Sequence, residues 1–435
     1  MNKLVMRAIV RMKIILGICA AIFLVRSVEA QQANHLRLDN CYALAEKNYP
    51  LAKERDLISK SKEYSIANIS KGYLPQLNIN GQATYQSDVS HLPGSLAATY
   101  SSIVPTMSKD QYKLYGEISQ PLTGMISTKQ QKKLQEMNST IQQENLEVEL
   151  YKLKDRVNQL FLGILLVDEQ YNQNELLKKD IQTGISKVNI AIENGADFKS
   201  SVDKLKAELL KANQHSIELK SSRKAYIDML GLFINQTIDD STVFEKPAGP
   251  SVSQSINRPE LIVFESKNKS DDIQSKQLTS KNIPKLEFFF QSGVGKPSPV
   301  NAYFTGLSSY YLGGFRLSWS LSGLYTYRKE RQLLEIDKSM NDAQKETFLF
   351  NTNFTLKQQN GEVSKLQELI KSDDEIVELR NFVKNAANVQ LENGAISVND
   401  FLKEINAEDQ ARQDQMLHEI QLLNALYNYQ NTSGD

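Results

Sequence analysis

A tetrapeptide, Glu-Asn-Gly-Ala, occurs at 193–196 and again at 392–395. Each copy ends an apolar helical pattern. Glycine there accepts a positive φ that terminates a helix, and a Ser or Asp just beyond it can cap a new one. Each copy therefore predicts the tip of a helical hairpin, unless the two are unrelated Asn-Gly turns.

Other matched segments place the two tips in an internal two-fold repeat. The segment 74–77 matches 283–286 with an offset of 209 residues, whereas 118–133 matches 317–332 with an offset of 199, which is also the offset of the tips. The offset changes once, by ten residues, around a Ser-rich loop. Unrelated turns would not share these offsets, so the sequence predicts two equivalent halves that differ in one loop length.

The first 30 residues have the pattern of a secretory signal peptide. Basic residues within the first 13 precede an apolar run of about 12 residues at 14–25, and Ala30 is the expected cleavage site. The alternative is a membrane anchor, but such a run is shorter than the ~20 residues that span a bilayer. We therefore expect an exported chain.

Composition narrows the function classes. Lys plus Arg and Asp plus Glu are both 51, a balance that argues against a nucleic-acid-binding protein. The four histidines are isolated in the sequence, so neither a metal site nor His-based catalysis is expected, and no cofactor is predicted. Cys41 is the one cysteine beyond residue 30, and it is predicted to be a small buried hydrophobe.

Within each half the apolar period changes from 3.6 to 2 residues, which indicates β-strands. Strands are predicted at about 74–86, 111–126, 284–294 and 310–326, each with one apolar and one polar face. That pattern suits strands with lipid on one side and water on the other. A soluble sheet packed on helices is the alternative, although Tyr and Trp near the strand ends favour a membrane interface.

Long helical patterns follow each pair of strands. The segments 129–193 and 328–392 each contain 65 residues with coiled-coil spacing, which is roughly 100 Å of helix. An opening helix at 38–71 and a return helix from Ser200 to about Phe233 are about half as long. Two short helices stacked end to end would match one long helix, so each half is predicted to be a helical rod with a β-hairpin at one end.

These elements define the predicted domain organisation, and the strands define a requirement for assembly. The predicted order is a signal peptide at 1–30, a first repeat at 31–235 with its tip at 194–196, a linker at 236–257, a second repeat at 258–430 with its tip at 393–395, and a polar, frayed tail at 431–435.

Four strands cannot close a membrane barrel, whose edges must be paired. Two chains would supply eight strands and three would supply twelve, and strand number alone does not decide between them.

At this point the sequence resembles the TolC-type outer membrane efflux proteins. The resemblance rests on LRLDNCYALAEKNYP at 36–50, the Leu-Pro strand entry at 74–77, Asn-Arg-Pro-Glu-Leu at 257–261, the duplicated order of elements and both glycine-containing tips. It implies an α+β membrane protein: a homotrimer with a 12-strand β-barrel, four strands per chain, continued by a long α-helical coiled-coil barrel. It places the protein in the outer membrane lipid of a Gram-negative-type envelope, extending into the periplasm.

The resemblance also implies a function. Proteins of this type are passive ducts, not enzymes, in tripartite efflux or type I secretion systems. They dock to a periplasmic adaptor (a membrane fusion protein) and act with an inner-membrane RND or ABC pump. A structural or adhesive coiled-coil envelope protein with a barrel anchor is the alternative, although a stalk needs only one helix per chain. A soluble periplasmic adaptor would lack four alternating strands.

Residues at the tips acquire roles from the same resemblance. The adaptor-contacting residues would be those of the two tips, namely Asn194, Gly195, Ala196, Asn393, Gly394 and Ala395. In the family an acidic pair after the second tip narrows the periplasmic entrance. Asp400 falls on the first acid, but Lys403 replaces the second and Ile396 replaces a linking Arg. Three Asp400 carboxylates would form a cation-attracting gate, and Lys403 could pair with Asp400.

Each of these roles has a simpler alternative. Asp400 and Lys403 could be ordinary solvated charges of a first helical turn, where the helix dipole favours an acid. Similarly, the two glycines could serve only the turn conformation.

Overall fold

The structure is a computed structural model that describes residues 35–89, 93–94, 107–251, 253, 255–301 and 304–434. The predicted signal peptide lies outside the described residues. The chain forms two compact units. The helical unit comprises the residues up to Ala52, Glu149–Arg258 and those from Asn351 onward, and the sheet unit comprises Lys53–Val148 and Pro259–Phe350. Each unit contains segments from both sequence halves, so the units cut across the predicted repeats.

The elements follow a similar order in the two halves, although the described first half contains two more helices. In the first half they are β1 (His35–Leu36), α1 (Leu38–Asn48), α2 (Glu54–Ser70), β2 (Gln76–Tyr85), β3 (Asp110–Pro121), α3 (Gly124–Tyr151), α4 (Leu153–Glu193) and α5 (Lys199–Ile234). In the second they are β4 (Val243–Phe244), α6 (Pro259–Lys281), β5 (Lys285–Lys296), β6 (Ser308–Ser318), α7 (Gly323–Glu392) and α8 (Val398–Ser433). The predicted combination of long helices and strands is confirmed. None of the described helices combines the length and apolar character needed to cross a bilayer.

The sheet unit contains one antiparallel sheet with the order β2-β3-β5-β6. Because side chains alternate along a strand, the apolar positions fall on one face of this sheet. That face is open: Leu77 is 75% exposed, Ile79 86% and Phe315 71%. Within the described residues β2 pairs only with β3, and β6 pairs only with β5, so both outer edges of the sheet are unpaired.

The second strand of each hairpin is shorter than the sequence predicts. β3 ends at Pro121 and α3 begins at Gly124, so the predicted strand 111–126 ran into a helix. Proline has no N–H to continue the ladder, which explains the end of β3. The predicted strand 310–326 was too long in the same way. There the ladder stops because Lys285, the first residue of β5, already pairs with the last residue of β6.

The predicted helices are also divided differently. The opening helix predicted at 38–71 breaks at Tyr49, which is extended (φ −60°, ψ 133°). The following residue, Pro50, explains the break, because proline disfavours helical geometry in the residue before it. The helix predicted at 129–193 begins earlier and is interrupted at Lys152, whereas α7 is unbroken over 70 residues.

The segment 236–257, predicted to be a linker, contains β4, which pairs in parallel with β1. Phe244 of β4 is buried, and its ring meets the edge of Phe161 with 5.4 Å between centroids. Because Ser, Pro and Gly are typical of linkers, the composition of the segment did not indicate this short strand. Pairing between β1 and β4 thus joins the beginning of the described chain to the segment that connects the two halves.

The tail, predicted to be frayed from residue 431, is instead helical to Ser433 and packed. The Asn431 side-chain amide donates to Asp155 Oδ1 at 2.6 Å. The backbone carbonyl of Asn431 accepts from the Tyr151 hydroxyl at 3.0 Å. The carbonyl of Ser433 accepts from the Asn257 backbone N–H at 2.6 Å. These bonds satisfy polar groups that a frayed end would leave to water. Asp435 lies outside the described residues.

The helical unit contains several apolar cores, of which two are large. One lies where α1, α4, α5 and α8 pack together, around side chains such as Phe161 and Ile164. Cys41 is fully buried there as predicted, and burial raises the pKa of its thiol to about 12. The second core lies beneath the two tips. Buried side chains from α4, α5, α7 and α8 meet in it, so this core positions both tips.

Candidate functional site at the hairpin tips

The first tip ends α4 with a Schellman motif. Gly195 has φ +75°, and its N–H donates to Ile192 O at 2.9 Å. The N–H of Ala196 donates to Ala191 O at 2.8 Å. Together these bonds satisfy carbonyls that the helix end would otherwise leave unpaired. Asn194 is the C-cap residue of α4.

The second tip ends α7 in the same way. Gly394 has φ +65° and donates to Leu391 O at 3.1 Å, while Ala395 donates to Gln390 O at 2.8 Å. The side-chain amide of Asn393 also donates to the carbonyl one turn earlier. The shared tetrapeptide therefore gives the same backbone turn twice.

The two tips differ immediately after the glycine turn. In the first, Asp197 Oδ1 accepts from the backbone N–H of Phe198 at 2.6 Å and from the Ser201 hydroxyl at 2.7 Å. This arrangement leaves the Phe198 ring 80% exposed on the loop. The first tip thus presents a large apolar side chain to its surroundings.

The second tip is closed by a capping box. The Ser397 hydroxyl accepts from the backbone N–H of Asp400 at 3.3 Å, and the Asp400 carboxylate accepts from the Ser397 hydroxyl at 2.7 Å and from its N–H at 3.3 Å. These hydrogen bonds hold the pKa of Asp400 below its ordinary value. The carboxylate engages Ser397, whereas Lys403 is exposed and lowers the pKa of Asp400 only as a smaller Coulombic influence. The geometry shows a capping role for Asp400, and the gate remains a prediction.

The core beneath the tips is built around Phe401. Its ring is fully buried, and a Cβ added at Gly184 would lie 2.7 Å from the ring. Gly184 therefore lets this ring from α8 approach the backbone of α4. Ile396, predicted from the resemblance to replace a linking Arg, packs against the same core.

A cavity of about 740 Å³ opens between the two tips. Its wall includes Asn194 and Ala196 from the first tip, and Asn393, Gly394 and Ala395 from the second. The structure thus brings five of the six predicted tip residues to one groove. Lys187, Asp197 and Asp400 add charges to the wall of that groove.

A lysine holds the two hairpins together beside this groove. Lys187 Nζ on α4 donates to the carbonyl of Asn388 at 2.9 Å and pairs with Glu392 at 3.0 Å, both on α7. Its ammonium is largely covered, with 22% of the side chain exposed. No sequence pattern indicates this contact, because partners about 200 residues apart leave no local pattern.

Farther along the helices lies an ionic group that we call the Lys384 cluster, made of Asp180, Lys384, Glu408 and Arg412. Lys384 Nζ lies 3.2 Å from Asp180 and 3.1 Å from Glu408, and Glu408 also accepts from Arg412. Only 2% of the Glu408 side chain is exposed. A buried carboxylate is tolerated because two cations neutralise it. The cluster links α4, α7 and α8.

Asp409 extends this polar layer. Gln173 Nε2 on α4 donates to one carboxylate oxygen at 3.0 Å, and Gln413 Nε2 donates to the other at 2.7 Å. Burial is the largest influence and raises the pKa of Asp409 above its ordinary value. In the described part of the chain, no set of three His, Cys, Asp or Glu residues is arranged to hold a metal ion.

Comparison by sequence identifies neither a family model nor a curated protein that matches the chain. Comparison with solved structures does find matches. CusC matches with a TM-score of 0.66 at 12% identity, covering 92% of each chain, and its structures concern transmembrane channel formation. The Campylobacter jejuni CmeC outer membrane channel matches at 0.63 and 12% identity, covering 91% of this chain and 85% of CmeC.

The open state of the Neisseria gonorrhoeae MtrE outer membrane channel matches with a TM-score of 0.64 at 12% identity, covering 92% of this chain and 89% of MtrE. Identities this low establish the fold alone. Because each match covers about nine-tenths of this chain, the shared fold includes both the helices and the strands.

Proposed function

We propose that this chain, whose fold is that of the TolC-type outer membrane channels, is a passive export duct of the outer membrane. The observation that carries the proposal is the sheet. Its apolar face is exposed and both of its edges are unpaired within the described residues. A protein in water rarely leaves such a surface uncovered, whereas lipid covers the face and neighbouring copies pair the edges.

The proposed assembly is a trimer, because the TolC-type fold favours three copies where strand number alone allows two or three. Three copies would close a 12-strand barrel from four strands each, with the polar face lining a lumen wide enough for a channel. The long helices would continue this duct into the periplasm as a coiled-coil barrel. The duct has no catalytic step, and transport is driven elsewhere, by an inner-membrane RND or ABC pump.

The tips are the proposed docking site for a periplasmic adaptor. Their groove combines apolar walls with the charges of Lys187, Asp197 and Asp400. Phe198 stands exposed next to it and offers an apolar anchor. A tripartite efflux or type I secretion system is therefore the proposed setting.

The proposed function is tested with the purified oligomer in a planar lipid bilayer. A duct gives stable single-channel steps, and chemical cross-linking of the detergent-solubilised protein gives three copies. A structural or adhesive coiled-coil protein would insert without conducting. Absence of conductance from correctly assembled trimers would therefore refute the duct.

The gate prediction concerns the charge of Asp400. Asp400→Ala is expected to raise single-channel conductance and weaken cation preference, because it removes a carboxylate from each copy at the entrance. Since hydrogen bonds from Ser397 hold the pKa of Asp400 below its ordinary value, its contribution to cation preference should persist to lower pH than that of an ordinary aspartate and disappear as the pH falls further.

A matched pair of variants separates the charge from the helix cap. Ser397→Ala removes the capping hydroxyl but keeps the carboxylate, whereas Asp400→Asn removes the charge and keeps an oxygen that can accept from Ser397. A gate predicts altered conductance for Asp400→Asn alone. Equal conductance and ion preference in Asp400→Asn and the unmodified channel would contradict it.

The docking prediction concerns Gly195. Gly195→Leu is expected to abolish efflux while trimers remain assembled, because it forces a residue with a Cβ into φ +75° and places a bulky side chain beside the groove. The left-handed conformation costs an L-residue roughly 1–2 kcal/mol, too little to unfold the protein. Efflux is measured as cellular retention of a fluorescent dye.

Gly195→Asn is the control for conformation, since Asn tolerates the left-handed region. Retained efflux in Gly195→Asn together with loss in Gly195→Leu would assign the effect to distortion or bulk at the tip. Normal dye efflux in Gly195→Leu would exclude the first tip as a docking surface.

A further inference from the structure

A polar cluster lies on the face of the sheet opposite the exposed apolar side chains. The Arg316 guanidinium on β6 donates to Glu117 Oε1 on β3 at 3.1 Å and to Glu287 Oε1 on β5 at 2.7 Å. Gln291 on β5 also donates to Glu117. We call Glu117, Glu287, Gln291 and Arg316 the sheet cluster, and it joins three of the four strands.

The register explains how the cluster forms. Glu287 is the cross-strand partner of Arg316, and Gln291 is the cross-strand partner of Glu117. Arg316 must therefore reach across the whole of β5 to meet Glu117. It does so by lying over the ring of Phe289, 4.5 Å from the centroid. Stacking and two carboxylates together fix the guanidinium in one position.

The two principal charges occupy equivalent positions in the sequence repeat. Glu117 and Arg316 are 199 residues apart, the same offset as the two tips. Each lies on the second strand of its hairpin. In a barrel closed by three copies, these positions would alternate around the lumen at one level. The ring would contain alternating Glu and Arg side chains, whereas an exact duplication of the sequence would have placed the same charge at both positions.

The cluster is paired but still accessible to water. The Arg316 side chain is 42% exposed and that of Glu287 is 27% exposed. Two carboxylates face one guanidinium, so each cluster carries a net negative charge. A structural ion pair needs only one carboxylate. The second one leaves an excess charge that a passing ion would meet.

We propose that the sheet clusters form a fixed charged ring in the lumen of the barrel and set the charge preference of the duct there. The carboxylates favour small cations and cationic groups of the cargo, and Arg316 limits that preference. This ring is separate from any gate at the tips. The inference rests on the proposed function, because it requires the polar face to line a conducting lumen.

The test is the reversal potential of single channels under a potassium chloride gradient. Glu287→Gln removes one carboxylate and leaves the Arg316–Glu117 pair intact, so it should assemble and shift the preference toward anions. Arg316→Gln should shift it toward cations. Lys60→Gln, on α2 outside the sheet, is the matched control for a lost positive charge and should leave the potential unchanged.

A charge exchange tests the pairing itself. Glu117→Arg combined with Arg316→Glu keeps the net charge, so the double variant should retain the reversal potential of the unmodified channel. Conducting channels in which Glu287→Gln and Arg316→Gln shift the potential in the same direction, or not at all, would overturn the ring. Failure of the unmodified trimer to conduct would instead refute the duct.

Discussion

Replacing Lys384 with methionine is expected to destabilise the helices beneath the tips by about 3 kcal/mol, the range for breaking a buried ion pair. Lys384 is 14% exposed and lies between two carboxylates, those of Asp180 and Glu408. Methionine has similar length but no charge. Without the Lys384 ammonium, Glu408 still pairs with Arg412, but no cation separates its carboxylate from that of Asp180. Repulsion between these two carboxylates accounts for the loss of stability.

Two further variants identify the origin of this loss. Glu408→Gln in the Lys384→Met background removes one of the two carboxylates that would repel each other, so the double variant should be more stable than Lys384→Met alone. Lys365→Met on the same helix is the matched control. Its lysine pairs with Glu362 at the surface, with 57% of the side chain exposed, so its removal should cost under about 1 kcal/mol.

Hydrogen exchange of the assembled protein provides the measurement, since it reports local opening without requiring reversible unfolding. A loss of about 3 kcal/mol corresponds to amide exchange on the order of 100-fold faster in the affected part of α8. If Lys384→Met and Lys365→Met exchange equally fast there, the cluster does not stabilise the packing of these helices.

The tip turns were predictable from sequence because their geometry is determined locally. The Asn-Gly-Ala sequence is sufficient to specify the cap, and Gly195 and Gly394 adopt it independently. The strands were likewise visible in the alternation of side chains. The ends of the strands were not visible in the sequence, because a strand ends where its partner has no further residue to pair with. The last residue of β6 pairs with Lys285, which is the first residue of β5.

Features that depend on distant partners were not predictable. Glu408 stands in an ordinary helical sequence, and nothing near it in the chain indicates that Lys384 will neutralise it. The same holds for the pair between Glu117 and Arg316, although their shared offset becomes informative once the two strands are known to be neighbours. Similarly, Asn431 near the end of α8 is buried and hydrogen-bonded to Asp155 and Tyr151, which lie far from it in the sequence.

The second large effect is expected at Phe401. Phe401→Ala should destabilise the core beneath the tips by about 3–5 kcal/mol, the range for removing a fully buried ring. The ring is 0% exposed and packs against Gly184. The matching position of the first half holds the smaller Val202, so the sequence repeat did not identify this aromatic side chain as the centre of the core.

Gly184→Ala tests the same contact from the other side. Within a helix this change normally stabilises by roughly 1 kcal/mol. Here the new Cβ would lie 2.7 Å from Phe401 Cε1, so the variant should be destabilised, by about 1–3 kcal/mol for an overpacked core. In the Phe401→Ala background the clash is absent and the methyl group enters the vacated space. The same substitution should then stabilise the protein.

Gly163→Ala, also on α4, is the matched control. The nearest atoms to its added Cβ are those of the Tyr226 ring at 3.4 Å, a distance that needs little adjustment. It should be neutral or stabilising in both backgrounds. Amide exchange in the segments around Gly184 and Phe401 measures each effect. The expected result is a reversal of sign for Gly184→Ala between the two backgrounds. Equal effects in both would show that Gly184 is not required for the Phe401 ring to pack.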